Sequence, residues 1–336
     1  MPQPQRDTAV DVLRGFGMLL VVVGHLYSGP WTHYIYSFHM PLFFFLSGFC
    51  AARKERQEPF GQYVLKKCRT LLLPYVVFFF LSLLIIFFLY HDKPSVWPGG
   101  LSVPAVLKAL VLSGGYLIRI PLYNYPLWYL PHLFVADLIF YWLRRGFALL
   151  PRIWLQRTAA AAVALALMLV TLPVQAALPY RPILQIDAMP AALSFMLLGW
   201  LLEPLTRCKA WDLAPWLCPV LLLGGWLLQS LNDGGSISSS HSLLYYPAAL
   251  SSILGWYCVS QRFRSPILAF IGQESILFLG LHLNVYGRLV RFPCPAFLTS
   301  ETVYDLLQLL AGTAVLCLIA LLLRAIKHCF HRRAGG

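Results

Sequence analysis

The chain has 336 residues, of which 59% are hydrophobic and only 12% charged, with a mean hydropathy of +0.69 and a formal net charge of +13. About a quarter of the residues of an average soluble domain are charged, so this composition excludes an ordinary soluble enzyme and defines an integral membrane protein. The eight cysteines do not make a disulfide framework, because only Cys294 is placed on the outer side by the topology below.

Apolar stretches of the length needed to cross about 30 Å of hydrocarbon as helix, roughly 17 to 25 residues, recur along the whole chain. In order they run 9–27, 33–52, 70–90, 127–144, 158–177, 188–204, 214–231, 242–260, 267–286 and 303–323. The expected fold is an all-α bundle of about ten transmembrane helices. An extra segment, 101–118, carries Pro104, Lys108 and Gly114-Gly115, and reads as re-entrant or interfacial. No tract is long or polar enough for an appended soluble domain, so residues 1–336 form a single membrane-embedded domain. The stretch "NDGGSISSS" at 232–240 reads as a flexible outer loop.

Lysine and arginine favour the cytoplasmic side. With the extra segment not crossing, 20 of the 26 basic residues fall inside, and Lys93, Lys108, Arg119, Arg181, Arg288 and Arg291 fall outside. Both termini are then cytoplasmic. The basic bias follows the loops, so topology accounts for the net charge and no nucleic-acid partner is expected. The first span is interrupted by Asp11 and Arg14 and lacks a small-residue cleavage site, so it is not read as a signal peptide.

That first span poses the chemical question. Arg14 and His25 are eleven positions apart, close to three full turns, so they share a face about 16 Å apart along the axis. Asp11 falls on nearly the same stripe, and Gly15, Gly17 and Gly24 let neighbouring helices approach. Ionisable groups inside a membrane are costly and face a cavity or a partner. The alternative is a structural Asp11–Arg14 ion pair near the interface, with His25 a boundary residue. His39, His132 and His282 are expected at a depth similar to that of His25, which points to a polar chamber. No H-x-x-x-H or C-x-x-C spacing accompanies them, and no metal site is expected. A buried, neutral imidazole is a competent base for a hydroxyl, and an arginine three turns inward suits an anionic carrier. Tyr116, Tyr123, Tyr125, Trp128 and Tyr129 suit stacking on sugar rings, although such residues also anchor helices at membrane interfaces. Asp137 and Glu274 are further acids able to orient a histidine or to pair with Arg14.

The stretch "DVLRGFGMLLVVVGH" followed by "SFHMPLFFFLSGF" resembles the membrane acyltransferase-3 family, within it the sugar O-acetylase branch typified by fucose 4-O-acetylase-like proteins. "LKKCRTLLLPY", "PLWYLPHLF" and "IGQESILFLGLH" look like the family's later signatures in the same order, and together the matches span most of the chain. The resemblance implies a multi-pass enzyme of the bacterial inner membrane. It would take an acetyl group from cytoplasmic acetyl-CoA and deliver it to a hydroxyl of an extracytoplasmic sugar or lipid-linked glycan. By the same resemblance Arg14 and His25 are the essential pair, and Lys66, Lys67 and Arg69 stand where the family has a basic pair associated with CoA. Lysine matches bidentate phosphate binding less well than the arginines common there.

The combined expectation makes His25 and His39 catalytic, with His25 the base or an acylated nucleophile and His39 orienting it or holding the oxyanion. Arg14, Lys66, Lys67 and Arg69 bind the donor, and Asp11, Trp128, Tyr129, His132 and His282 face the acceptor. The rival readings are a secondary transporter or flippase with a central polar chamber, and an acyltransferase acting on a lipid, peptide or small metabolite.

Overall fold

A computed structural model describes residues 7–27, 29–54, 57–90, 102–113, 124–178, 182–207, 216–232, 235–240, 242–289 and 301–334. It is all helical apart from an isolated antiparallel bridge between Ser236 and Ser239. The helices are α1 (Thr8–Leu26), α2 (Pro30–Ala52), α3 (Phe60–Lys67), α4 (Leu73–Tyr90), α5 (Val103–Leu112), α6 (Tyr129–Phe147) and α7 (Ile153–Ala177). They continue with α8 (Met189–Leu202), α9 (Leu217–Leu231), α10 (Tyr245–Arg262), α11 (Pro266–Gln273), α12 (Ser275–Asn284) and α13 (Glu301–Ala334).

All ten expected spans fall on helix, but they are not equal. Among the described residues six helical stretches, or seven when α11 and α12 count as one broken span, are long and apolar enough to cross a membrane by themselves. The other three are α9, which has only 15 residues, and α6 and α10, which are long enough but too polar. Their polar faces turn into the protein, where Asp137, His132, Ser252 and Ser260 are buried. Of the segment expected at 101–118, α5 is a ten-residue helix, about 15 Å long and too short to cross; residues 114–118 lie outside those described. The 232–240 stretch is tied down where it is described, since the Gln175 amide donates to the Ile237 carbonyl (2.8 Å) and its oxygen accepts from Ser240.

The layering follows from composition. The windows of α1, α2 and of residues 183–207 are 56–61% buried, whereas that of α7 is 17% and that of α13 22% buried. The outer helices, with the long α3–α4 unit, show rows of Leu, Val and Phe on their outer faces, the surface that lipid covers. The inner helices touch through small residues. A Cβ on Gly48 would overlap the Met196 carbonyl and one on Gly199 the Phe45 carbonyl, so α2 and α8 cross backbone to backbone. Gly15 and Gly272 make the same reciprocal crossing between α1 and α11. Gly17 and Gly24 let α2 approach through its side chains, Leu42 for the first and Ile35 and Tyr36 for the second.

Local chemistry fixes the ends. Asp7 caps α1 by accepting from the Ala9 amide (2.8 Å) and also pairs with Arg53, whose Nε reaches Glu203 (2.8 Å), so one ion-pair cluster ties α1 to α2 and to the end of α8. Ser265 caps α11, and the chain turns by 84° between α11 and α12. Two five-residue π-helical segments interrupt the regular ladder, Cys68–Leu72 between α3 and α4 and Val285–Leu289 after α12. Such bulges concentrate at functional sites.

Candidate active site

A cavity of about 350 Å³ opens among α1, α2, α3, α6, α11 and α12, within the range of small-molecule sites. One end is polar, lined by Lys54, Glu58, Lys67, Arg144 and Gln273, and the other apolar, lined by Met18, Val21, Leu130 and Leu279. Arg14 and Cys50 stand between them. Along α1 the lining residues are Arg14, Met18 and Val21, spaced by four and three, and His25 continues that series by four. The cavity therefore follows the stripe on which the sequence placed Arg14 and His25. It stops one turn, about 6 Å, short of the imidazole.

Arg14 is held, not buried away. Its Nη1 donates to Asp11 at 3.2 Å and Nη2 approaches the Cys50 sulfur at 3.8 Å, while its side chain stays 26% exposed to the cavity. Asp11 also accepts from Gln273 at 3.2 Å. The ion pair weighed from sequence as a purely structural alternative is thus present, yet it aims the guanidinium into the cavity. Asp11 does not line that cavity; it positions Arg14.

Of the four basic residues expected to hold a donor, Arg14 and Lys67 line the cavity and Lys66 and Arg69 do not. The Lys67 Nζ lies 2.5 Å from the buried Asp137 carboxylate, which also accepts from Ser47 at 3.0 Å, and it sits over the Tyr63 ring. Lys66 is not itself in the lining but pairs at 2.6 Å with Glu58, which is, and this holds the Glu58 carboxyl below its ordinary range. Arg69 is exposed on the π segment. The departure has a simple cause, because consecutive helical residues diverge by about 100° and meet different neighbours. Sequence reasoning missed Lys54 and Arg144, which do face the cavity. Burial and the neighbouring Lys66 ammonium push the Lys54 ammonium below its ordinary value, and the Arg144 Nε is buried without a hydrogen-bond partner. Both lie in basic loop-end clusters that topology alone explained, which hid them. Neither Asp137 nor Glu274 pairs with Arg14 as was considered; Asp137 takes Lys67, and Glu274 takes Arg324 at 2.5 Å.

Beyond the apolar end lies a histidine group. The His25 and His282 rings are 5.5 Å apart, the Tyr36 ring lies 6.2 Å from His25, and His39 lies 5.2 Å from Tyr36. His25 is partly exposed, His39 and His282 are buried. Each of the buried pair has its Nδ1 against a carbonyl of its own helix, Ile35 at 2.8 Å for His39 and Leu279 at 2.9 Å for His282. His132 does not join them. Its Nδ1 meets the Leu184 carbonyl at 2.8 Å, and its ring packs on Phe44 and Trp128. Trp128 is buried there too, whereas Tyr129 lines the cavity wall. Tyr116 and Tyr123 lie outside the described residues. The four-histidine chamber therefore reduces to His25, His282 and, through Tyr36, His39.

No group of three or more histidine, cysteine, aspartate or glutamate side chains able to hold a metal is found among the described residues. A membrane-embedded helical bundle with a cationic cavity leading to a histidine pair is the kind of protein the site defines. Comparison makes the class specific: the acyltransferase domain family matches residues 7–325, so the chain belongs to the acyltransferase-3 family of membrane acyltransferases. A stretch of 81 residues is 36% identical to nodulation protein NolL of Mesorhizobium japonicum, covering 20% of this chain and 22% of that protein. The match thus spans about a fifth of that relative's length. No solved structure matches the chain.

Proposed function

We propose that this acyltransferase is a transmembrane O-acetyltransferase that takes acetyl from cytoplasmic acetyl-CoA and passes it to a hydroxyl of an extracytoplasmic sugar or lipid-linked glycan. In this reading ten spans cross a bacterial inner membrane, the basic end of the bundle faces the cytoplasm and both termini lie there. The observation that carries it is the alignment of one cavity with one helix face, from Lys54, Lys67 and Arg144 at the mouth, past Arg14, to Val21 below His25.

The chemistry follows from the lining. Three cations at the polar end suit the phosphates of the donor, and the apolar end of Met18, Val21, Leu130 and Leu279 suits its slender pantetheine arm and acetyl group. Arg14 lies between the two ends, within reach of amide oxygens of the arm. His25, partly exposed beyond the apolar end, takes the proton of the acceptor hydroxyl as the oxygen attacks the thioester carbonyl. The carbon–sulfur bond then breaks, and His25 returns the proton to the departing CoA thiolate. The net change is an alcohol and a thioester giving an ester and a thiol. The last turn between Val21 and His25 must open or be bridged by the acetyl group for this to occur.

The relative named above is a nodulation protein, and the sugar acceptor rests on the resemblance of the motifs rather than on that name. The test is mass spectrometry of surface and lipid-linked glycans from cells with wild-type protein, with His25→Ala and without it. The reading expects acetyl increments of about 42 daltons with the wild type alone. Equal increments with His25→Ala would contradict it.

A further inference from the structure

The group that faces His25 is His282, and its surroundings say more than proximity. The Nδ1 of His282 lies 2.9 Å from the Leu279 carbonyl and 3.1 Å from that of Phe278, both acceptors, so Nδ1 carries the proton. In the neutral ring Nε2 is then a bare lone pair. That atom is buried and has no hydrogen-bond partner, and the residue is wholly inaccessible to solvent. A buried acceptor without a donor costs free energy and calls for an explanation.

The helix that carries it is braced. The Asn124 amide donates to the Gly280 carbonyl at 2.6 Å and to Ser82 at 3.2 Å, and Asn284 donates to the same Ser82 at 2.9 Å. These bonds lock α12 to α4 and to the turn before α6, one residue pair on either side of His282. The 84° bend before α12 and the π segment after it frame a short, fixed element that presents this one imidazole to α1. The rings of His25 and His282 lie 5.5 Å apart, centre to centre, and are tilted by 33°, so no third side chain is needed to connect them.

We infer that His282 is a positioning residue, whose Nε2 accepts the N–H of His25 and so leaves the other His25 nitrogen bare toward the acceptor hydroxyl. A base needs a fixed tautomer, and in a neutral imidazole the hydrogen bond at one nitrogen decides which nitrogen is free. His282 gains and loses no proton. It stabilises the imidazolium formed when His25 takes the hydroxyl proton, because the N–H it accepts then becomes a charge-assisted donor. This rests on the reading of His25 as the base, and it moves His282 from the acceptor contact expected in the sequence to a support for the catalytic ring.

The test uses membrane vesicles from producing cells, which carry their own glycan acceptors, with radiolabelled acetyl-CoA as the probe. His282→Leu should lower the limiting transfer rate by roughly 10-fold to 100-fold, below the loss of the base itself, with the acetyl-CoA KM unchanged within about twofold. His282→Gln, whose Oε1 can take the place of Nε2, should recover several-fold of that loss, and His25→Ala should be silent. Wild-type rates in His282→Leu beside a silent His25→Ala would overturn the positioning role and leave the function standing. So would equal rates in the Leu and Gln variants with equally lowered thermal midpoints. Wild-type transfer by His25→Ala would overturn both.

Discussion

Lys67 offers a test that separates fold from donor binding at one residue. Its ammonium lies 2.5 Å from Asp137, whose side chain is 2% exposed, and Ser47 donates to the same carboxylate at 3.0 Å. Lys67→Met leaves the buried carboxylate without its cation. Breaking a buried pair by removing one partner costs about 3–5 kcal/mol. The cavity admits water beside the pair, so the low end, about 3 kcal/mol, is expected. In a chain of this size that lowers the unfolding midpoint of the detergent-purified protein by roughly 4 °C. Adding Asp137→Leu removes the stranded carboxylate, and most of the midpoint should return. Donor binding should not return. A lost charge-assisted contact of about 1.5–3 kcal/mol raises the acetyl-CoA KM by about 10-fold or more in both variants. An unshifted midpoint in Lys67→Met would refute the burial argument, and recovery of KM in the double variant would show that Lys67 acts only through the fold.

Two further outcomes follow from other parts of the structure. Gly48→Ala should lower the thermal midpoint, because its new methyl meets the Met196 carbonyl and forces α2 from α8 at a cost of about 1–3 kcal/mol, while Gly61→Ala, with open space around it, should leave the midpoint unchanged. Titrating acetyl-CoA affinity upward in pH checks Lys54. Its depressed pKa means that its positive charge is lost below the ordinary lysine value of 10.5, so KM should begin to rise before that point, and Lys54→Arg should hold KM flat over the same window.

Much of this architecture was legible in the residues because a bilayer imposes few solutions. Apolar length located the long helices but neither the polar α3 nor the bend between α11 and α12, and the spacing of Arg14 and His25 placed them on the face along which the cavity runs. The glycine at 15 foretold a close crossing, with its partner Gly272 invisible until the fold was known. The misplacements share one cause, since sequence gives position along a helix but not which neighbour the side chain meets. Lys66 and Lys67 are adjacent and look alike, yet one joins a surface pair and the other the cavity. His132 and His282 were assigned similar depth, yet the first packs against Phe44 and Trp128 and the second against His25. Arg144 was counted as a topological charge, although its Nε is buried at the cavity wall.

The central claim is that the donor's acetyl group travels along the α1 stripe from Arg14 to His25, and Val21 is the last cavity-lining residue of α1 before His25. Val21→Trp fills the apolar end between the cations and His25 without altering either. Transfer of radiolabelled acetyl from acetyl-CoA to vesicle glycans should fall by about 100-fold or more, while acetyl-CoA still binds within about threefold of wild type because its phosphates rest on Lys54, Lys67 and Arg144. Wild-type transfer through a chain carrying that tryptophan, with thermal stability intact, would mean that the acetyl group takes another route.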